Sequence, residues 1–66
     1  MKTQWFTFGR SHAHQHGKHL LNKDTVVEIT AEDPRAKMFE LFGNKWSMQY
    51  DKPPDMQHFP KGIIKL

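Results

Sequence analysis

The sequence predicts a small α+β fold. The expected architecture is an antiparallel sheet built from a β-hairpin, one helix and one or two further strands, in the order ββαβ(β). Three observations predict it. Thr25–Thr30 reads TVVEIT, a run of β-branched residues that suits a strand. Asp33-Pro34 opens a segment that ends at Gly43 and places Met38, Leu41 and Phe42 at i, i+3 and i+4, the spacing of one helical face. Lys45–Asp51, KWSMQYD, alternates apolar and polar side chains, the period of a half-buried strand.

Taken in order, the first element is Thr3–Phe8, TQWFTF, whose aromatics and threonines favour a strand. Phe6 and Phe8 fall on its core face, Trp5 and Thr7 on the other. Gly9 interrupts the strand and marks a bulge. Gly17-Lys18 forms a tight turn, since glycine accepts positive φ there. That turn sets His16 opposite His19 and His14 opposite Leu21. In the next strand Val27 and Ile29 face the core. Asp33 caps the helix and Pro34 takes its first position, although Thr30 is an alternative, earlier cap. The helix runs Pro34–Phe42, with Gly43 just beyond its end. Trp46, Met48 and Tyr50 share one strand face. They are read as core against the helix rather than as a base-stacking platform, because so short a chain needs its aromatics inside. Lys52-Pro53-Pro54-Asp55 forbids regular pairing. His58–Gly62 is a second turn, and Ile63–Leu66 is a short last strand or a docked tail. The whole, residues 1–66, is expected to form one domain, its first two strands a long hairpin with histidines near the tip.

Composition narrows the class. Only 36% of the 66 residues are apolar, so the core is thin, and two Trp, five Phe and one Tyr must carry much of it. That aromatic content argues against disorder. The formal charge of +3 comes from ten basic residues interleaved with seven acidic ones. Such mild basicity favours a polyanion or an acidic protein surface without amounting to a nucleic-acid footprint. No stretch approaches the ~20 apolar residues of a membrane span, and MKTQWFTFGR has no apolar signal-like run. A cytosolic setting without membrane contact is expected. There is no cysteine. A domain this small commonly relies on a disulfide, a metal or a partner chain, so metal or partner remains.

Four histidines, His12, His14, His16 and His19, fall within eight residues, and His58 stands alone downstream. Neutral imidazole is the commonest protein ligand for zinc. A hairpin turning at Gly17-Lys18 projects His12, His14, His16 and His19 from one face. The favoured ligands are His12, His14 and His19, with His16 exposed at the tip. A fourth would come from His58, Asp24, Asp51, Asp55 or water. The competing reading is a solvated polar loop. Paired-cysteine finger spacings and HExxH are both absent. There is also no glycine-rich phosphate loop and no recognisable nucleophile setting. A chain this short leaves little room for a pocket of ~300–1,000 Å³. An enzyme is not expected; zinc-bound water is the residual catalytic reading. For an interface, Trp5 is the natural anchor, with Lys18 and Lys23 as charged neighbours.

Two motifs point further. Phe6, Thr7, Phe8, Gly9, His12 and His14 spell FTFG-x-x-H-x-H, and Phe42, Gly43, Lys45, Trp46, Gln49 and Tyr50 spell FG-x-K-W-x-x-Q-Y. This pattern, spanning nearly the whole chain, resembles that of small proteins encoded in phages and prophages. Within that set the chain looks like zinc-binding anti-CRISPR inhibitors of the type II single-protein nuclease. The resemblance implies a non-enzymatic protein that binds this RNA-guided DNA nuclease in the host cytoplasm and holds a structural Zn2+. Related sequences often carry a cysteine where Thr25 stands here, which leaves the fourth ligand open. A small basic nucleic-acid-binding module using Trp5 or Trp46 is the alternative. A +3 chain is a poor mimic of DNA, so an acidic or neutral patch on the nuclease is the expected target.

Overall fold

The segments richest in strand formers pair with each other. In the computed structural model, which describes residues 1–66, β1 (Lys2–Thr7) and β4 (Val26–Ala31) run antiparallel along their full length, from Lys2 opposite Ala31 to Thr7 opposite Val26. Between them the chain leaves the sheet to form a separate hairpin, β2 (His14–His16) with β3 (His19–Leu21). The helix α1 spans Pro34–Phe42. β5 (Gln49–Tyr50) then pairs with β1, and β6 (Ile63–Lys65) pairs with β4, giving the sheet order β5-β1-β4-β6.

The α+β class therefore holds, but the sheet is mixed. β6 lies parallel to β4, with Val27 level with Ile64. β5 and β6 occupy opposite edges of the sheet. The Asp51–Gly62 connection joins them, and its Pro53-Pro54 pair lacks the N–H groups a ladder needs. A single 3₁₀ turn, Met56–His58, forms within it, and the Asp55 carboxylate accepts from the Gln57 N–H at 3.0 Å.

α1 follows local rules. The Asp33 carboxylate accepts from the Ala36 N–H at 3.1 Å, and Pro34 sits where its missing N–H costs nothing. At the other end Gly43 turns with φ 64°, and its N–H donates to Phe39 O at 2.9 Å. The buried stripe is Pro34, Met38 and Phe42, while Leu41 is only half-buried. These side chains close over the helix-facing side of the sheet, where Phe6, Phe8, Leu21, Val27, Ile29, Met38 and Phe42 form the core. Phe8 meets Phe42 edge-on, with ring centroids 5.5 Å apart.

Lys45–Asp51 departs from its expected alternation. Only Gln49 and Tyr50 pair in the sheet. Upstream, Ser47 N donates to Thr7 O at 2.8 Å and Thr7 N to Met48 O at 3.0 Å. The segment is thus tied to the end of β1, but Trp46 turns inward against Phe6 while Met48 stays 52% exposed.

Two substitutions measure these assignments. Asp33→Ala is expected to lower stability by about 1 kcal/mol through loss of the cap. Met38→Ala, at a site with no exposed surface, is expected to cost about 2–5 kcal/mol. Urea denaturation of both variants checks the pair; an unchanged midpoint for Met38→Ala would mean that α1 does not dock as described.

Candidate functional site

The histidine run begins with a turn closed twice by one residue. The His12 N–H donates to Gly9 O at 3.1 Å, and the Gly9 N–H donates to His12 Nδ1 at 2.8 Å. The Nδ1 lone pair is therefore engaged, and the neutral ring carries its proton on Nε2. A Cβ on Gly9 would stand 3.4 Å from the His12 ring, in van der Waals contact with it. Beyond this turn Gly17, at φ 60°, reverses the hairpin with His16 opposite His19 and His14 opposite Leu21, as the sequence predicts.

Leu21 is fully buried, so its face of the hairpin looks inward. His14, His16 and His19 share that face and are all half-buried, His16 at the tip included. The His14 ring lies 4.8 Å from the Phe42 centroid and 5.5 Å from that of Phe8. Its Nε2 stands 2.9 Å from Lys45 O. A carbonyl only accepts, so Nε2–H is the donor. His14 is an aromatic wedge with a polar handle, joining the hairpin to the chain beyond α1.

His12, His14 and His19 are not gathered. No three His, Asp or Glu side chains converge in a group able to hold a metal ion. The other candidate donors have separate partners or stand alone. Asp24 pairs with Lys23 at 3.1 Å, Asp51 accepts from Gln4 at 2.7 Å, Asp55 caps the 3₁₀ turn and His58 is exposed. Thr25 is buried, and its hydroxyl both donates to Asn22 O and accepts from Asn22 N. In this arrangement no three of these donors converge on one point. A zinc ion held by His12 through Nδ1 would have to displace the Gly9 amide.

The nominated interface residues stand on different elements. Trp5 is half-buried, and its indole N–H donates to Glu28 Oε1 at 3.0 Å across the sheet. Lys18 is exposed at the hairpin turn, and Lys23 is exposed beside Asp24. Both belong to the hairpin region, whereas Trp5 belongs to the four-stranded sheet.

The structure instead offers an open groove between α1 and the chain that follows it. Its volume is about 410 Å³, and Arg35, Phe39, Asn44, Trp46, Met48 and Gln49 line it. The expectation of little room for a pocket gives way to an open groove: Gly43 reverses the chain and leaves a trough beside the helix. The Arg35 guanidinium lies 5.3 Å from the Phe39 ring centroid and 5.1 Å from that of Trp46. Those rings meet edge-on at 5.3 Å. Arg35 Nη1–H donates to Gln49 Oε1 at 3.0 Å, Gln49 Nε2–H to Gln4 Oε1 at 2.7 Å, and Gln4 Nε2–H to Asp51 Oδ1 at 2.7 Å. This chain fixes the orientation of each amide. Phe39 and Met48 are 44% and 52% exposed.

Sequence reasoning missed Arg35, Phe39 and Met48. The available signal was the i, i+4 spacing of Arg35 and Phe39 beside the buried stripe, followed by Trp46 just past the helix stop. Comparison of the chain with protein-family models, with curated proteins and with solved structures found no match. No helix is long and apolar enough to cross a membrane.

His12→Ala and His14→Ala are each expected to lower stability by about 1–3 kcal/mol, because Gly9 N–H and Lys45 O lose their partners. The loss should persist in chelator. His58→Ala, at an exposed site, should stay within about 0.5 kcal/mol of the parent. Thermal melts with and without chelator check this; losses seen only with zinc present would assign both histidines to a metal instead.

Proposed function

We propose that the chain is a non-enzymatic binding protein that inhibits the RNA-guided DNA nuclease of a type II CRISPR system by docking on the nuclease itself, in the cytoplasm of the host. The observation that carries the binding role is the Arg35 groove. Interface energy concentrates in Trp, Tyr and Arg side chains set among apolar contacts. Here a guanidinium already lies over two aromatic rings at cation–π distance and is held by Gln49. Ordering it beforehand lowers the entropy cost of association.

The partner comes from the resemblance to small phage-encoded inhibitors. Its motif residues interlock: Gly9 with His12, His14 with Phe8, Phe42 and Lys45, and Trp46 with Phe6 and Gly43. The shared pattern is thus a framework, and it supports a common architecture rather than a shared contact surface. The net charge of +3 favours an acidic or neutral patch over the nuclease's cationic nucleic-acid channel. Zinc enters this reading as a structural ion that His12, His14 and His19 would hold, with His12 giving up its bond to the Gly9 amide. Titration of the metal-free protein with zinc, followed by histidine ring resonances, tests that part.

The direct test is a cleavage assay with purified nuclease, guide RNA and target DNA, beside a binding assay with DNA alone. Cleavage is expected to fall as the chain approaches equimolar nuclease, without binding to free DNA. Undiminished cleavage by nucleases from several hosts, with DNA binding that weakens steeply as salt rises, would instead identify a nucleic-acid module.

A further inference from the structure

We infer that the Arg35 groove reads a carboxylate: its occupant is an extended protein segment carrying an Asp or Glu beside a large apolar side chain. This rests on the protein-binding role proposed above and names the chemistry that role uses.

Arg35 is exposed and takes part in no ion pair, and no carboxylate lines the groove. A guanidinium presents several N–H donors in a fixed fork. One of them is engaged by Gln49 at 3.0 Å. The remaining edge matches the two oxygens of a carboxylate, the bidentate geometry arginine favours. The fork cannot turn freely. Its charge lies over the Phe39 and Trp46 rings, 5.3 and 5.1 Å from their centroids, and the Gln49–Gln4–Asp51 relay holds its hydrogen-bonding partner. Gln49 and Gln4 are therefore positioning residues.

The stacking also decides between occupants. A nucleobase needs an open aromatic face. On the groove side the guanidinium itself lies over the Phe39 and Trp46 rings, so the charged edge rather than a ring face is on offer. Beside that edge stand Phe39 and Met48, both exposed. Methionine adapts to varied apolar partners. An acid next to a Leu, Met or Phe side chain fills both halves of the groove.

The test is selection of a random displayed peptide library on the parent chain, with counter-selection on Arg35→Gln. The expected consensus places Asp or Glu next to a large apolar residue. The selected peptide should lose about tenfold or more in affinity, some 1.4 kcal/mol, in either of two changes: Asp to Asn in the peptide, or Arg35→Lys in the chain. Arg35→Lys keeps the charge and removes the fork, and circular dichroism checks that each variant is folded. Amide resonances of Trp46 and Met48 should shift on binding. Peptides without an acid, equal binding to Arg35→Gln, or displacement of the peptide by oligothymidylate would each overturn the inference. Nuclease inhibition that survives in Arg35→Gln would overturn it too while leaving the nuclease reading intact. Acid-selective peptide binding without any nuclease inhibition would remove only the nuclease assignment.

Discussion

The structure hangs on the His14 side chain. Its ring enters between Phe8, just past β1, and Phe42, at the end of α1, while Nε2–H donates to Lys45 O beyond the helix. Four pieces of chain meet at this one residue: the hairpin, the end of β1, the helix terminus and the segment leading to β5. Imidazole suits the place because it offers an apolar body and a polar tip. Phenylalanine would fill the space and leave the Lys45 carbonyl without its partner. Asparagine would make the hydrogen bond and leave the space between the two rings poorly filled. A thin core gains from such a group, which counts once as packing and once as a hydrogen bond across the fold.

The groove inherits its shape from the same junction. Gly43 adopts φ 64° because α1 must stop and the chain must reverse, and its own carbonyl then accepts from the Trp46 indole N–H at 3.0 Å. That bond, with the edge-on contact to Phe6, leaves one side of Trp46 to Arg35. The His14 bond to Lys45 O holds the intervening residue. Framework and surface are thus coupled: a change that frees the Phe42–Trp46 reversal alters the platform on which Arg35 rests, even though His14 does not line the groove.

Local features were legible in the sequence. The helix ends at Asp33 and Gly43 were readable because each depends on one residue's own geometry, a carboxylate cap and a left-handed φ. The register of His16 against His19 followed from Gly17 alone. What was not legible depended on where distant segments meet. β6 runs parallel because a proline-rich connection joins the two sheet edges, and no local pattern encodes that. Met48 alternates properly with Trp46 and Tyr50 yet stays exposed, since the chain is tied to β1 by Ser47 and Thr7 before the ladder begins. Trp5 read as a free anchor until Glu28, directly opposite in β4, engaged its N–H.

The histidines show the same limit from the other side. Their density suggested one shared chemistry, because residue type and spacing are all that a sequence displays. The structure gives them different work. His12 accepts an amide hydrogen to close a turn, His14 donates to a carbonyl from within the core edge, and His16 and His19 face each other across a hairpin. A ring with one acceptor and one donor nitrogen serves both the His12 turn and the His14 junction. In a chain without cysteine, the His14 bond to Lys45 O ties together segments 31 residues apart that a thin apolar core holds only weakly, while the His12 bond closes a local turn. The surface is then free to specialise, and the Arg35 groove is where it does: a fixed charge and an exposed thioether set beside Phe39 and beside Trp46, whose other side packs on Phe6.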